Sequence, residues 1–111
     1  SRGKLIDMAD FFREAWTERV RYLLTHDDLI MDLTDYTVAL VGSDALGGAI
    51  NYTSPKTGIV DAEGGIVFYD PDAGDLTVAK SPIRVRWKVS TGGRDAYFPR
   101  VGPIVIVVEK P

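Results

Sequence analysis

Apolar and polar residues alternate in short runs along most of this chain. Between Tyr36 and Val41, an extended backbone puts Tyr36, Val38 and Leu40 on one side and Thr37, Ala39 and Val41 on the other. A period of two with β-branched and aromatic residues predicts a half-buried strand. The plainest case runs from Pro82 to Ser90. There Ile83, Val85, Trp87 and Val89 make an apolar face, and Arg84, Arg86, Lys88 and Ser90 a polar one. Thr91-Gly92-Gly93-Arg94 follows as a hairpin turn, because paired glycines supply the positive φ such turns need. Ala96 to Val101 returns, with Pro99 marking an edge or a bulge. Shorter strands are predicted at Ala49 to Thr53, Thr57 to Asp61 and Gly65 to Tyr69, the last two joined by Ala62-Glu63-Gly64. Asp70 to Asp75 is turn chemistry throughout.

The two ends of the chain are less regular. Met8, Phe12, Trp16, Val20 and Leu24 recur every four residues, which suits an amphipathic helix with Asp7 as its N-cap. The reading in keeping with the β character elsewhere is an N-terminal arm or short helix to about Glu14. A strand from Trp16 to Thr25 would follow, with Trp16, Val20, Tyr22 and Leu24 inward and Arg19 and Arg21 outward. The closing run Ile104-Val105-Ile106-Val107-Val108 does not alternate, which implies cover on both faces. The core would cover one face; the arm (Met8, Phe11, Phe12) or another subunit would cover the other. The expected fold class is all-β: a single-domain β-sandwich, jelly-roll or immunoglobulin-like, with an N-terminal arm over residues 1–15 and the sandwich over 16–111.

With 111 residues there is room for one core. The absence of cysteine removes disulfides, thiol catalysis and Cys-ligated zinc. Thirteen basic against sixteen acidic residues, a net charge of −3, argue against nucleic acid as a partner. The closing apolar run is far too short to span a bilayer, so no membrane role is expected. The basic start meets Asp7 before any apolar segment forms, so no signal peptide is expected either. His26 stands in a polar turn with no second His, which suits turn hydrogen bonding better than catalysis. Asp70, Asp72, Gly74 and Asp75 lack the spacing and the bidentate Glu of a calcium loop. Neither Gly47-Gly48 nor Gly92-Gly93 is followed by the Lys-Ser/Thr of a phosphate loop. The chain therefore reads as a non-enzyme with no catalytic residue, metal ligand or cofactor. Tyr97, near Arg94 and Arg100, could stack on a sugar, and the row Arg84, Arg86, Lys88 could dock on an acidic protein surface.

One segment adds a resemblance. Trp16-Thr17, the acidic turn His26-Asp27-Asp28, and Asp32-Leu33-Thr34-Asp35-Tyr36-Thr37 resemble a pattern of bacteriophage virion β-sandwich modules, with Asp35 where Gly is usual. Gly65-Ile66-Val67-Phe68-Tyr69 and the strand from Arg84 to Val89 also fall where that pattern has strands. Such modules occur in tail and upper-baseplate proteins and as capsid decoration proteins. A small cysteine-free domain with no stalk or coiled coil is most similar to the staple or cement proteins of epsilon-fifteen-type short-tailed phages. The resemblance implies a virion protein made in the host bacterial cytoplasm and placed on the capsid exterior. There it would bridge neighbouring subunits of the major capsid protein and stabilise the shell against packaged DNA, with copies forming a homodimer at a two-fold axis. Its contacts are expected from Phe11, Phe12, Trp16, Val105 and Val107, followed by Arg84, Arg86 and Arg100. A tail or baseplate adaptor is the alternative within the same resemblance, and a carbohydrate-binding module the alternative from another class.

Overall fold

The structure is a computed structural model that describes residues 4–5 and 9–110. In chain order its strands are β1 (Lys4–Leu5), β2 (Ala9–Arg13), β3 (Val20–Leu23), β4 (Thr25–His26), β5 (Leu29–Ile30) and β6 (Thr37–Ser43). They continue with β7 (Ala49–Tyr52), β8 (Thr57–Asp61), β9 (Ile66–Tyr69), β10 (Ile83–Thr91), β11 (Arg94–Phe98) and β12 (Ile104–Glu109). A single 3-10 turn, Val78–Lys80, precedes β10. The larger sheet has the order β2-β12-β10-β6-β7, with β11 also on β10; the smaller has the order β1-β3-β9-β8. The two form a β-sandwich, and β4 and β5 make a separate hairpin at its end.

Strand β10 sets the geometry. Its residues alternate as the sequence predicts, with Ile83, Val85, Trp87 and Val89 buried. One edge bonds antiparallel to β6, from Arg84 opposite Ser43 to Ser90 opposite Thr37. The other edge is shared: β11 takes Trp87 to Thr91, and β12 takes Ile83 to Val85. Phe98 lies opposite Trp87 and Ile104 opposite Val85, so residues 99–103 loop out of the sheet where β10 offers only Arg86. The turn into β11 has Gly92 and Gly93 at φ 55° and 79°, as the paired glycines require. Across the core, Trp87 meets Tyr22 of β3 edge-on at 5.7 Å.

The N-terminal segment differs from expectation in three ways. The arm is neither a helix nor a loose strap: β2 adds to the larger sheet, parallel to β12, from Ala9 opposite Val105 to Arg13 opposite Glu109. Strand β3 starts at Val20 rather than Trp16, because Ala15 takes a left-handed φ of 64° and turns the chain. Trp16 sits in that turn, its indole N–H donating to the Glu18 carbonyl at 2.9 Å and its ring 5.8 Å from Phe12. Apolar residues spaced by four thus come from two strands and the turn between them, all leaning on one core. Finally, β12 alternates in burial, with Ile104, Ile106 and Val108 inside and Val105 and Val107 half-buried. The arm protects the edge of β12, not its outer face. Asp7 and Met8, read above as cap and arm, lie outside the described residues.

Two tyrosines carry polar groups into the interior. Asp10 is buried on the inward side of β2, where the Tyr22 hydroxyl donates to it at 3.3 Å. The Tyr69 hydroxyl donates to Asp75 at 2.9 Å, beside Lys56 at 2.7 Å from the same carboxylate. Burial, and then the neighbouring carboxylate, pushes both phenols well above the ordinary tyrosine value. At the corner before β6, Asp35 has a φ of 66°, a conformation Gly adopts freely and Asp tolerates.

Two stability measurements follow. A Cβ on Gly42 would overlap the Arg84 carbonyl and lie 2.8 Å from the Val85 Cα, so neither strand can yield cheaply. Gly42→Ala is expected to cost about 3 kcal/mol, at the upper end for overpacking, seen as a Tm lower by about 10 °C. The tyrosines give a pH dependence. A raised folded-state value means the stabilisation is complete below the unfolded value of about 10 and is lost as pH rises beyond it. Denaturant titrations above that pH should show a decline of about 1.4 kcal/mol per pH unit for each tyrosine, and Tyr22→Phe or Tyr69→Phe should each remove one share.

Candidate functional site

The cations on the outer faces of the sandwich differ in whether they are paired, and Arg21 of β3, like the basic residues of β10, has no side-chain hydrogen bond or ion pair among the described residues. On the smaller sheet Arg19 is satisfied, with Nε 2.7 Å and Nη2 2.9 Å from the two oxygens of Asp70 and the guanidinium 3.8 Å over the Phe68 ring. Asp70 is held below the usual carboxylate range by those bonds. On the larger sheet the side chains of Arg84, Arg86 and Lys88 have no hydrogen bond or ion pair among the described residues. Period-two alternation puts all three outward, because Val85 and Trp87 between them are buried.

The same face brings the apolar candidates together. Phe11 lies opposite Val107, and Val105 lies opposite Arg84, so a stripe crosses β2 and β12 and ends at the arginines of β10. Phe11 is 62% exposed, far more than an aromatic ring in a strand needs to be. Beyond Arg84 the stripe opens into a groove of about 340 Å³, lined by Val41 and Gly42 of β6, Arg84 and Arg86 of β10, Tyr97 of β11 and Pro103. Pro103, at the end of the looped-out residues 99–103, and Tyr97 of β11 border it where β10 passes from β11 to β12. Tyr97 and Pro103 stand on that side and β6 on the other.

Phe11, Val105, Val107, Arg84 and Arg86 therefore share one surface. Phe12 and Trp16 do not join it: alternation turns Phe12 inward, and the pair packs half-buried against the core. Arg100 leans away towards the β4–β5 hairpin, with Nη1 3.4 Å from His26 Nδ1. His26 also has Nε2 3.1 Å from Asp27, so it ties the hairpin to the 99–103 loop. Val41, Gly42 and Pro103 were not foreseen as groove residues. The signals for them were the outward placement of Val41 in the β6 alternation and the unassigned Gly102-Pro103 between two strands.

The acidic turn has its own cations. Asp70 is held by Arg19, and Asp72 and Asp75 by Lys56, whose ammonium also sits 4.1 Å over the Tyr52 ring. Burial opposes the charge on Lys56, but its bonds to Asp75 and Asp72 outweigh that and raise its proton affinity. No group of three or more metal-binding side chains occurs among the described residues. No protein-family model matches the chain, and no curated protein matches it.

Adjacent phenylalanines give a direct check on which face is which. Phe11→Ser should leave stability within about 0.5 kcal/mol of the parent, as for a surface change. Phe12→Ser should cost on the order of 2 kcal/mol, about half of a full core truncation. Paired urea titrations would show it; equal losses would mean that the register of β2 is wrong.

Proposed function

We propose that this protein is a virion structural protein that lays the outer face of its larger sheet on the exterior of a phage capsid, bridging neighbouring major-capsid subunits. One observation carries the reading: Phe11, Val105 and Val107 form a single apolar stripe that runs into two arginines with no partner among the described residues. A face of this kind buries apolar area at its centre and directs orientation through charge at its rim, the usual division of labour in a protein interface. The resemblance of residues 16–40 to virion β-sandwich modules points to the same class of assembly.

Stabilisation then follows mass action. A protein that binds the assembled shell and not the separated subunits shifts the equilibrium towards the shell, by roughly 2.7 kcal/mol per site at a hundredfold excess over the dissociation constant. Repeated over a symmetric lattice, modest contacts resist a large outward load.

The test mixes purified protein with undecorated shells of the phage that encodes it and measures bound copies and the temperature at which shells open. Saturable binding at hundreds of copies per shell is expected, with a higher opening temperature and with both effects lost in Phe11→Ser/Val107→Ser. Absence of binding would refute the reading. Copies found only at the tail, in tens or fewer, would replace it with a tail adaptor.

A further inference from the structure

We propose that the groove between Arg84 and Arg86 is a receptor for an acidic, extended peptide segment of the partner, in which carboxylates at alternate positions pair with the two guanidinium groups. The inference rests on the reading of this face as a docking surface and names the chemistry that the face selects.

Three features carry it. Arg84 and Arg86 stand two residues apart on one strand, so their Cα atoms are separated by roughly 6.6–6.8 Å. An extended partner with Asp or Glu at positions i and i+2 repeats that spacing with its carboxylates on one side. Arginine, unlike lysine, offers a planar fork that holds a carboxylate by two hydrogen bonds. In this chain Arg19 already does so with Asp70, whereas Arg84 and Arg86 have no such partner among the described residues.

The groove itself favours a peptide over a nucleic acid strand. About 340 Å³ between Val41, Tyr97 and Pro103 accommodates one or two apolar side chains. An acidic segment with an apolar residue at the next alternate position fills both the charged and the apolar parts. A phosphate chain would leave that apolar floor covered by charge and would meet a molecule of net charge −3. The groove is continuous with the apolar stripe through the Arg84–Val105 pair, so one partner segment can engage both.

The experiment titrates isotope-labelled full chain with three probes and follows backbone amide resonances. The probes are the acetylated, amidated pentapeptide Glu-Ser-Glu-Ser-Phe, the same peptide with Lys for Glu, and a ten-residue oligothymidylate. The acidic peptide is expected to shift the amides of Val41, Gly42, Arg84, Arg86 and Tyr97. Its affinity should fall at least tenfold in R84E/R86E, whose outward positions, Arg84 exposed and Arg86 half-buried, leave the fold intact by Tm. The lysine peptide should leave those amides unmoved. Three results would each overturn the inference: no shift at the groove, equal response to both peptides, or preference for the oligothymidylate. Shell binding by R84E/R86E, run alongside, separates the two proposals. Unchanged shell binding removes the groove and leaves the docking face. A peptide-binding protein that ignores shells keeps the groove and removes the capsid.

Discussion

Hydrogen bonding along both edges of β10 is the constraint on which the rest depends. A strand paired on both sides cannot rotate, so its alternation is locked: Trp87 and its apolar neighbours go to the core and Arg84, Arg86 and Lys88 to the outside. Because two strands in succession must share one of those edges, the chain between them has to leave the sheet. The loop of residues 99–103 is the consequence, and its last residue, Pro103, borders the groove together with Tyr97. Gly42 belongs to the same constraint. Backbones of β6 and β10 approach so closely beside Arg84 that a side chain on β6 has no space.

Legibility in the sequence followed the range of the interactions involved. Hairpins and alternation are local, and β6, the β8–β9 pair, β10 and the Gly92-Gly93 turn were readable from neighbouring residues. The arm was not, because a parallel edge strand is defined by β12, almost a hundred positions away. Phe11 and Phe12 side by side also fit several structures equally well. Trp16 misled for a physical reason: in a turn, a large ring can reach the same core as the strands around it, and its spacing then imitates a helix. For the site, outward placement of Arg84 and Arg86 could be read directly from period two, whereas the all-apolar closing run gave no sign that Val105 and Val107 face outward. That Tyr97 and Pro103 face the arginines across a groove depends on the shared edge of β10, which no local pattern encodes. Arg100 shows the converse, a basic residue in the right neighbourhood turned by His26 towards another end of the molecule.

Charge is distributed unevenly on this acidic chain. The acidic turn has its ions paired, Asp70 with Arg19 and Asp72 and Asp75 with Lys56. The Arg19–Asp70 pair is exposed and adds little to stability, whereas Lys56 and Asp75 are mostly buried. Among the described residues Arg84, Arg86 and Lys88 of the larger sheet are unpaired, so β10 presents a row of three free cations on one face. Arginines beside an apolar stripe also act as a guard. Phe11, Val105 and Val107 would invite self-association if left alone, and like charges next to them oppose it.

That guard bears on how copies could meet. A two-fold contact whose axis passed beside Arg84 and Arg86 would set them against the same residues of the partner copy, since in an isologous interface only residues at the axis meet themselves. Like-charge apposition of that kind costs several kcal/mol, more than a short apolar stripe returns. Pairing of copies through this face would therefore set its axis away from the arginines, which would stay open to carboxylates from a different chain. The like charge that disfavours that one mode of self-association is then the same feature that favours an acidic partner.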